Sequence, residues 1–149
     1  MKSLFEKAAV DELLSRIEKL TPQTQPQWGK MSVDQMLAHC VAGLDMASGK
    51  INPPRVLIGR IIGSFIKDMY SNDKPFSKNS PTDDAIRING SRDFVKEKQR
   101  LKDSILVFSQ NGLPGVTVRP HPFFGKLSPE AWGIGMYKHM DHHFRQFGV

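Results

Sequence analysis

The segment 128–147 constrains the fold more than any other part of this sequence. Ser128 is a preferred residue before a helix, Pro129 suits the first helical position and Glu130 suits the first turn. Apolar residues and histidines then recur at steps of three or four, as on the inward face of an amphipathic helix. The residues of this face are Trp132, Met136, His139, His143 and Phe147. The residues expected to face more outward are Lys138, Asp141 and Arg145.

Three of the five histidines lie in this predicted helix, at positions 139, 142 and 143. Because an α-helix turns about 100° per residue, His139 and His143 lie about 40° apart and can point to one site. His142 lies about 100° from His143. A catalytic zinc-type site usually has three protein ligands and one open position. A third ligand must therefore come from elsewhere in the chain.

Four earlier segments also show helical spacing of apolar residues. Ser3 with Glu6, and Ser32 with Gln35, have the spacing of a capping box, and Gly49 is a natural helix stop. The predicted helices run over about 4–20, 32–48, 55–69 and 91–111, and residues 116–118 are the one candidate for extended chain. Together with the last helix, they predict an all-α fold: an up-down four-helix bundle with an extra apolar helix and long loops.

The segment 55–69 is the extra apolar helix. It is apolar on nearly all sides, so we expect it to be well buried or to lie at an interface. It is too short, and too interrupted by Arg60 and Lys67, to cross a bilayer. Gly59 and Gly63 predict close helix packing. Residues 71–90 are rich in Ser, Asn, Asp, Pro and Lys and predict a long exposed loop.

His39 is the candidate for the third ligand. It shares a helical face with Met36, Gly43 and Met46, so we expect it to face the core. Cys40 lies about 100° further round this helix, and we interpret it as a small buried hydrophobe and not as a ligand. The alternative for the histidines is a core in which they hydrogen-bond and bind no metal.

Composition narrows the class of protein. With 149 residues, 39% of them hydrophobic and 24% charged, the chain is predicted to be a single globular domain, 1–149. The formal charge is +6, but both signs alternate along the chain, which favours a solvated basic surface over nucleic-acid binding. One cysteine, no signal peptide and no membrane span predict a cytoplasmic protein that binds neither membrane nor nucleic acid.

Three stretches resemble the DinB-like (DinB/YfiT) superfamily. The sequence Trp-Gly-Lys-Met-Ser-Val-Asp-Gln-Met-Leu-Ala-His at 28–39 is similar to its second-helix entry. Residues 121–132 and 137–147 resemble the third loop and last helix of one branch whose function is unknown. The resemblance covers essentially the whole chain.

This resemblance implies a four-helix bundle, often dimeric, with a divalent metal ion (typically zinc or nickel) on three histidines. Carried over by position, the ligands are His39, His139 and His143, the set that the apolar faces also select. Characterised relatives include transferases and isomerases that use a low-molecular-weight thiol such as mycothiol, bacillithiol or glutathione. The resemblance therefore implies a homodimeric, metal-dependent thiol transferase or a small hydrolase that acts on a small-molecule substrate.

Several residues are candidates for supporting roles. Gln146 and Tyr137 are close enough in sequence to orient the imidazoles, and His142 is expected to pack beside them or to support them. His121 is expected to anchor its loop, or else to line the mouth of the site. Cationic residues that could attract an anionic thiol are Lys74, Lys78 and Arg145, although solvated surface is the simpler interpretation. Three imidazoles accept zinc, nickel, copper or iron, so the sequence leaves the metal open.

Three kinds of function remain. An open coordination position beneath a pocket would favour a metal-dependent enzyme. A closed or dry site would favour a metal that only stabilises the bundle. Structural histidines together with a continuous basic face would favour an interaction or nucleic-acid module, whose binding should depend steeply on salt.

Overall fold

The computed structural model describes residues 1–80 and 83–149, and this part of the chain is all-helical. It contains two 3-10 turns, at Asp84–Ile86 and Leu113–Gly115, and no β-strand in the described ranges. The α-helices are α1 (Lys7–Glu18), α2 (Val33–Ala47), α3 (Leu57–Ile66), α4 (Asp68–Ser71), α5 (Phe94–Asn111) and α6 (Pro129–Gln146). The all-α prediction is confirmed.

The four long helices bury their apolar faces against one another. Helix α2 packs against both α5 and α6, and α1 also packs against both of them. The largest fully buried side chains include Trp132, Phe144, Leu13, Met36 and Leu101. Because α2 contacts α6, inward residues of these two helices face each other across the core.

The ends of α2 and α6 lie where the local sequence predicts them. The capping box of Ser32 and Gln35 is formed, with the Ser32 N–H donating to Gln35 Oε1 at 3.1 Å. The connection after α2 turns at Gly49, whose φ of +76° favours glycine. The Ser128 hydroxyl accepts a hydrogen bond from the Ala131 N–H at 3.2 Å and caps α6. These short-range signals fix the positions of both helices that carry the histidines.

Two other helix starts differ from the prediction. Helix α1 begins at Lys7, and Glu6, not Ser3, is the residue before it, without a side-chain cap. The reason is tertiary: the Leu4 N–H donates to Gly133 O of α6 at 3.1 Å, so the segment docks on α6 instead of continuing the helix. Helix α5 is capped by Asp93, whose Oδ1 accepts from the Lys96 N–H at 3.0 Å, and not by Ser91.

Helix α3 is mostly exposed, so of the two expected alternatives burial within the chain is wrong, and a position at an interface stays a prediction. Phe65 is 85% exposed and Leu57 76% exposed. Its inner edge is glycine, as predicted for close packing, but the neighbour is loop backbone instead of a helix: a Cβ on Gly63 would lie 2.0 Å from the Phe123 carbonyl oxygen. Within the described residues, no helix has both the length and the apolar character that a membrane crossing requires.

The loop 71–90 is exposed over much of its length but also packs on the core, and its residues 81–82 lie outside the described part. Phe76 is half-buried, with its ring centroid 6.2 Å from those of Tyr70 and His142. The turn Asp84–Ile86 packs against α2. The loop therefore brings backbone groups to the helices that carry the histidines.

Candidate metal centre

Helices α2 and α6 bring three histidines together. His39 comes from α2, and His139 and His143 come from successive turns of α6. One ring nitrogen from each lies within 4.8 Å of the others, and the ring centroids are 4.7 to 4.8 Å apart. These are the three residues that the sequence selects. Their role as metal ligands stays a prediction.

The His39 imidazole is held by the backbone of the 71–90 loop. Its Nδ1 lies 2.8 Å from the carbonyl oxygen of Ile86. A carbonyl oxygen only accepts hydrogen bonds, so Nδ1 carries the proton and Nε2 keeps its lone pair. That Nε2 lies 2.8 Å from Nε2 of His139. The loop thereby presents one unprotonated nitrogen to the centre of the cluster.

The His143 imidazole is held in the same way by a side chain of its own helix. Its Nδ1 lies 2.8 Å from Gln146 Oε1, while Gln146 Nε2 donates to the Trp28 carbonyl oxygen at 2.8 Å. The second bond orients the amide, so its oxygen must face His143. Nδ1 of His143 is therefore the donor, and its Nε2 is free to bind an ion.

His139 is the histidine without an outer partner. Its Nδ1 is buried and has no hydrogen-bond partner in the described structure. The ring lies against Gly43 of α2, where an added Cβ would be 3.2 Å from both Nδ1 and Cε1. Glycine at 43 therefore allows the His139 ring to pack closely against α2.

Burial favours the neutral form of all three imidazoles. His39 is 2% exposed and His143 8% exposed. Burial lowers the pKa of His39 and of His139, and it lowers the pKa of His143 to about 3. The neighbouring imidazoles lower the His139 and His143 values further. Since a metal binds neutral imidazole, the cluster is already in its ligating form at neutral pH.

The other predicted supporting residues fall in different places. His142 lies beside the cluster, with its ring 5.1 Å from that of His143 and 5.8 Å from that of Trp28. Tyr137 does not support the imidazoles, because its hydroxyl donates to Glu12 of α1 at 2.9 Å. The Ile86 and Trp28 carbonyls could not be predicted from the sequence, since backbone acceptors leave no signal in residue type.

Two of the three residues expected to face outward on α6 are not free in solvent. Lys138 is only 8% exposed, because its ammonium donates to Asn72 Oδ1 at 2.8 Å beside α4. Asp141 is half-buried and pairs with Arg16 of α1 at 2.7 Å. Arg145 is exposed as expected. The helices that pack on these sides of α6 account for the difference.

His121 anchors its own loop and is not part of the cluster. Its Nδ1 accepts the N–H groups of Phe123 at 3.0 Å and of Phe124 at 3.3 Å. Its ring also packs 5.3 Å from the ring of Trp132. The structure thus agrees with the loop-anchoring alternative. Cys40 is fully buried, its thiol pKa is raised by that burial, and it is a core residue as expected.

Residues 2–148 match the family described as "Protein of unknown function (DUF1569)", so the chain belongs to this family. The searches of curated proteins and of solved structures found no match. The family description assigns no activity. The chemistry of the site must therefore be argued from the residues themselves.

Proposed function

We propose that this protein binds a divalent metal ion on His39, His139 and His143. The observation that supports the proposal is the convergence of three neutral imidazoles whose nitrogens lie within 4.8 Å. Two of them have their outer nitrogen fixed by an acceptor, which is the usual arrangement of metal-binding histidines. His139 contributes its Nε2, which lies 2.8 Å from Nε2 of His39.

The donor set fits zinc or nickel, the metals that the DinB-like resemblance implies. Three imidazoles leave such an ion its full charge and an open position, where a bound water or thiol would lose its proton near neutral pH. The Ile86 carbonyl and Gln146 would orient the His39 and His143 rings. Trp28, with Lys78 Nζ 4.5 Å from the centre of its indole ring, would border the approach to the site.

A finer proposal is a metal-dependent thiol S-transferase with a DinB-like four-helix bundle. A low-molecular-weight thiol would be the small-molecule partner, and the cation of Lys78 would attract its anionic groups. The second candidate is a metal that only stabilises the bundle. The low exposure of His39 and His143 favours this candidate, because a substrate needs access to the ion.

The first experiment is metal analysis of protein purified without an affinity tag. We expect about one equivalent of zinc or nickel per chain. The His39→Ala and His143→Ala variants should lose it while keeping the helical circular-dichroism signal. His142→Ala is the matched control, since His142 is on the same helix beside the cluster, and it should keep the metal. Absence of metal in the parent, even after incubation with either ion, would refute the proposal.

The second experiment separates the two candidates. The parent is loaded with cobalt, and its visible spectrum is recorded while cysteine is added as the probe thiol. A saturable new charge-transfer band would mean that a thiol reaches the ion, as the transferase requires. An unchanged spectrum would leave the structural metal as the function. A Gln146→Leu variant should bind cobalt about 10- to 100-fold more weakly, because His143 loses its acceptor.

Homodimer formation through α3 is a further part of the proposal. Its exposed apolar side chains include Leu57, Ile61 and Phe65, and such patches are common at interfaces between proteins. Sedimentation analysis should show a dimer that Phe65→Asp disrupts. Val118→Asp is the control, because Val118 is equally apolar and 95% exposed elsewhere. A monomeric parent would contradict dimerisation.

Cytoplasmic location and lack of nucleic-acid binding stay predictions.

A further inference from the structure

A cavity of about 220 Å³ lies at some distance from the histidines along the same two helices. Its walls include Met46 of α2 and Trp132 of α6, together with parts of residues 51–55 and 117–122. Met46 follows His39 by seven residues and Trp132 precedes His139 by seven, which is a rise of about 10 Å in each helix. The cavity is therefore a separate feature from the proposed metal centre.

The charged residues that line the cavity are both cationic. Arg55 and Arg119 both line it, and within the described ranges no lining residue is acidic. None of the ion pairs between the described residues involves either arginine. An arginine keeps its charge at any physiological pH. Two cations thus border one small space and have no counter-ion in the part of the chain that the structure describes.

Two buried donors of the lining also lack a hydrogen-bond partner among the described residues. They are Nε of Arg55 and the indole Nε1 of Trp132, a residue that is 1% exposed. More than nine in ten buried polar groups in proteins have a partner, so each exception needs an explanation. Both groups can only donate. Their missing partner must therefore be an acceptor.

The Arg55 guanidinium is held in place by the fold. Its Nη2 donates to the Gly59 carbonyl oxygen of α3 at 2.6 Å. It also lies against Gly125, where an added Cβ would be 3.3 Å from Nη2. The adjacent Val56 N–H donates to Pro122 O at 3.1 Å and joins the two loops that form the walls. Fixed arginines of this kind suit the recognition of planar anions.

We propose that this cavity binds a small organic carboxylate. The anion would be recognised by the guanidinium groups of Arg55 and Arg119, beside the Trp132 indole. The remaining walls are largely apolar and include Met46, Ile51 and Pro53, so they suit a short hydrocarbon body and not a second charge. The volume lies below the range of about 300–1,000 Å³ typical of pockets for drug-sized ligands, which limits the ligand to a small molecule.

The test uses the indole N–H of Trp132 as its reporter, because the chain has only two tryptophans. Two-dimensional nitrogen–proton NMR spectra of the parent are recorded with increasing 3-methylbutanoate, and Trp28→Phe assigns the two indole signals. We expect a saturable shift of the Trp132 signal. The neutral amide of the same acid should cause none. A missing shift at the highest soluble concentration, or an equal shift with the amide, would overturn the proposal.

Variants test which cations recognise the anion. Arg55→Gln and Arg119→Gln should each weaken binding about tenfold or more, as expected for losing a charge-assisted hydrogen bond. Arg119 is exposed, so its variant also covers the case in which Arg55→Gln disturbs folding. Arg60→Gln removes one exposed charge of α3 and should leave the affinity unchanged. If Arg60→Gln weakens binding as much as the other two variants, the affinity depends only on the overall charge of the protein, and the proposed site is refuted.

Inorganic phosphate is the second probe. If phosphate shifts the Trp132 signal at lower concentration than 3-methylbutanoate, the assignment to carboxylates is wrong. Carrying out the titration with and without a metal chelator keeps the result independent of the proposed metal centre. The same shift in both conditions is expected.

Discussion

Protonation of His121 should destabilise the fold as the pH falls. The Nδ1 atom of this residue accepts two backbone N–H groups, from Phe123 and Phe124, which it can do only while unprotonated. Burial, and to a lesser extent the cation of Arg55, lower the His121 pKa to about 4. In the unfolded chain the pKa of histidine is about 6.5. The unfolded state therefore binds the proton first, and acid favours unfolding.

The size of the effect follows from these two pKa values. Between pH 6.5 and the folded-state value, stability falls by about 1.4 kcal/mol for each pH unit. The loss that His121 contributes should reach about 2–3 kcal/mol near pH 4.5 and level off below the folded-state pKa. Above about pH 6.5 both states are neutral at this residue, and its titration contributes nothing.

The assay is urea unfolding over this pH range, in the presence of a chelator, for the parent and for His121→Asn. The asparagine oxygen can replace Nδ1 as acceptor but cannot be protonated in this range. The variant should be less stable than the parent at pH 7, because the packing of the ring on Tyr70 and Trp132 is lost. The difference in free energy of unfolding between the parent and His121→Asn should decrease by about 2–3 kcal/mol towards pH 4.5. A constant difference across the range would refute the reasoning. The other buried histidines titrate in both proteins and cancel.

Three further outcomes are expected. Gly63→Ala should destabilise the fold by about 1–3 kcal/mol in urea unfolding, because the new Cβ would meet the Phe123 carbonyl. Asp141→Ala should cost about 1–3 kcal/mol in the same assay, since the Arg16 side chain is only 13% exposed and would lose the nearer of its two carboxylate partners, keeping Glu12 at 3.6 Å. Cys40 should react with Ellman's reagent only after denaturation, because it is fully buried and its thiol pKa is raised.

The two substitutions have controls within the chain. Arg60→Ala, on an exposed face of α3, should change stability by less than about 0.5 kcal/mol. Asp11→Ala removes an exposed ion pair with Lys7 and should have a similarly small effect. If Gly63→Ala leaves the free energy of unfolding unchanged, the Phe123 carbonyl is not in close contact with α3. Rapid reaction of Cys40 in native protein would mean that the core opens often.

The parts of the fold that the sequence predicts well are those with short-range causes. The limits of α2 and α6 follow from Ser32, Gln35 and Ser128, whose partners are within three residues. The local pattern predicts that α1 begins earlier than Lys7, and this is wrong because Leu4 pairs with Gly133, far away along the chain. A local pattern contains no information about such a partner.

In the candidate site, too, the features with local causes are predicted and those with distant partners are not. The inward direction of His39, His139 and His143 follows from helical periodicity, and the structure brings them together. Their acceptors were only partly foreseen: Gln146 is a side chain three residues from His143, whereas the Ile86 carbonyl belongs to a loop 47 residues from His39. The sequence leaves open whether α3 is buried within the chain or exposed for an interface, because an apolar pattern does not tell whether its partner lies in the same chain.

The contact between His39 and His139 joins residues that are 100 positions apart in the chain. Such a contact forms only after a long loop has closed, so the site is absent from partly folded chains. A metal ion bound there would stabilise the native state but not the transition state for folding. We therefore expect zinc or nickel to slow unfolding while leaving the rate of refolding nearly unchanged, so that the ion would determine how long each folded molecule lasts.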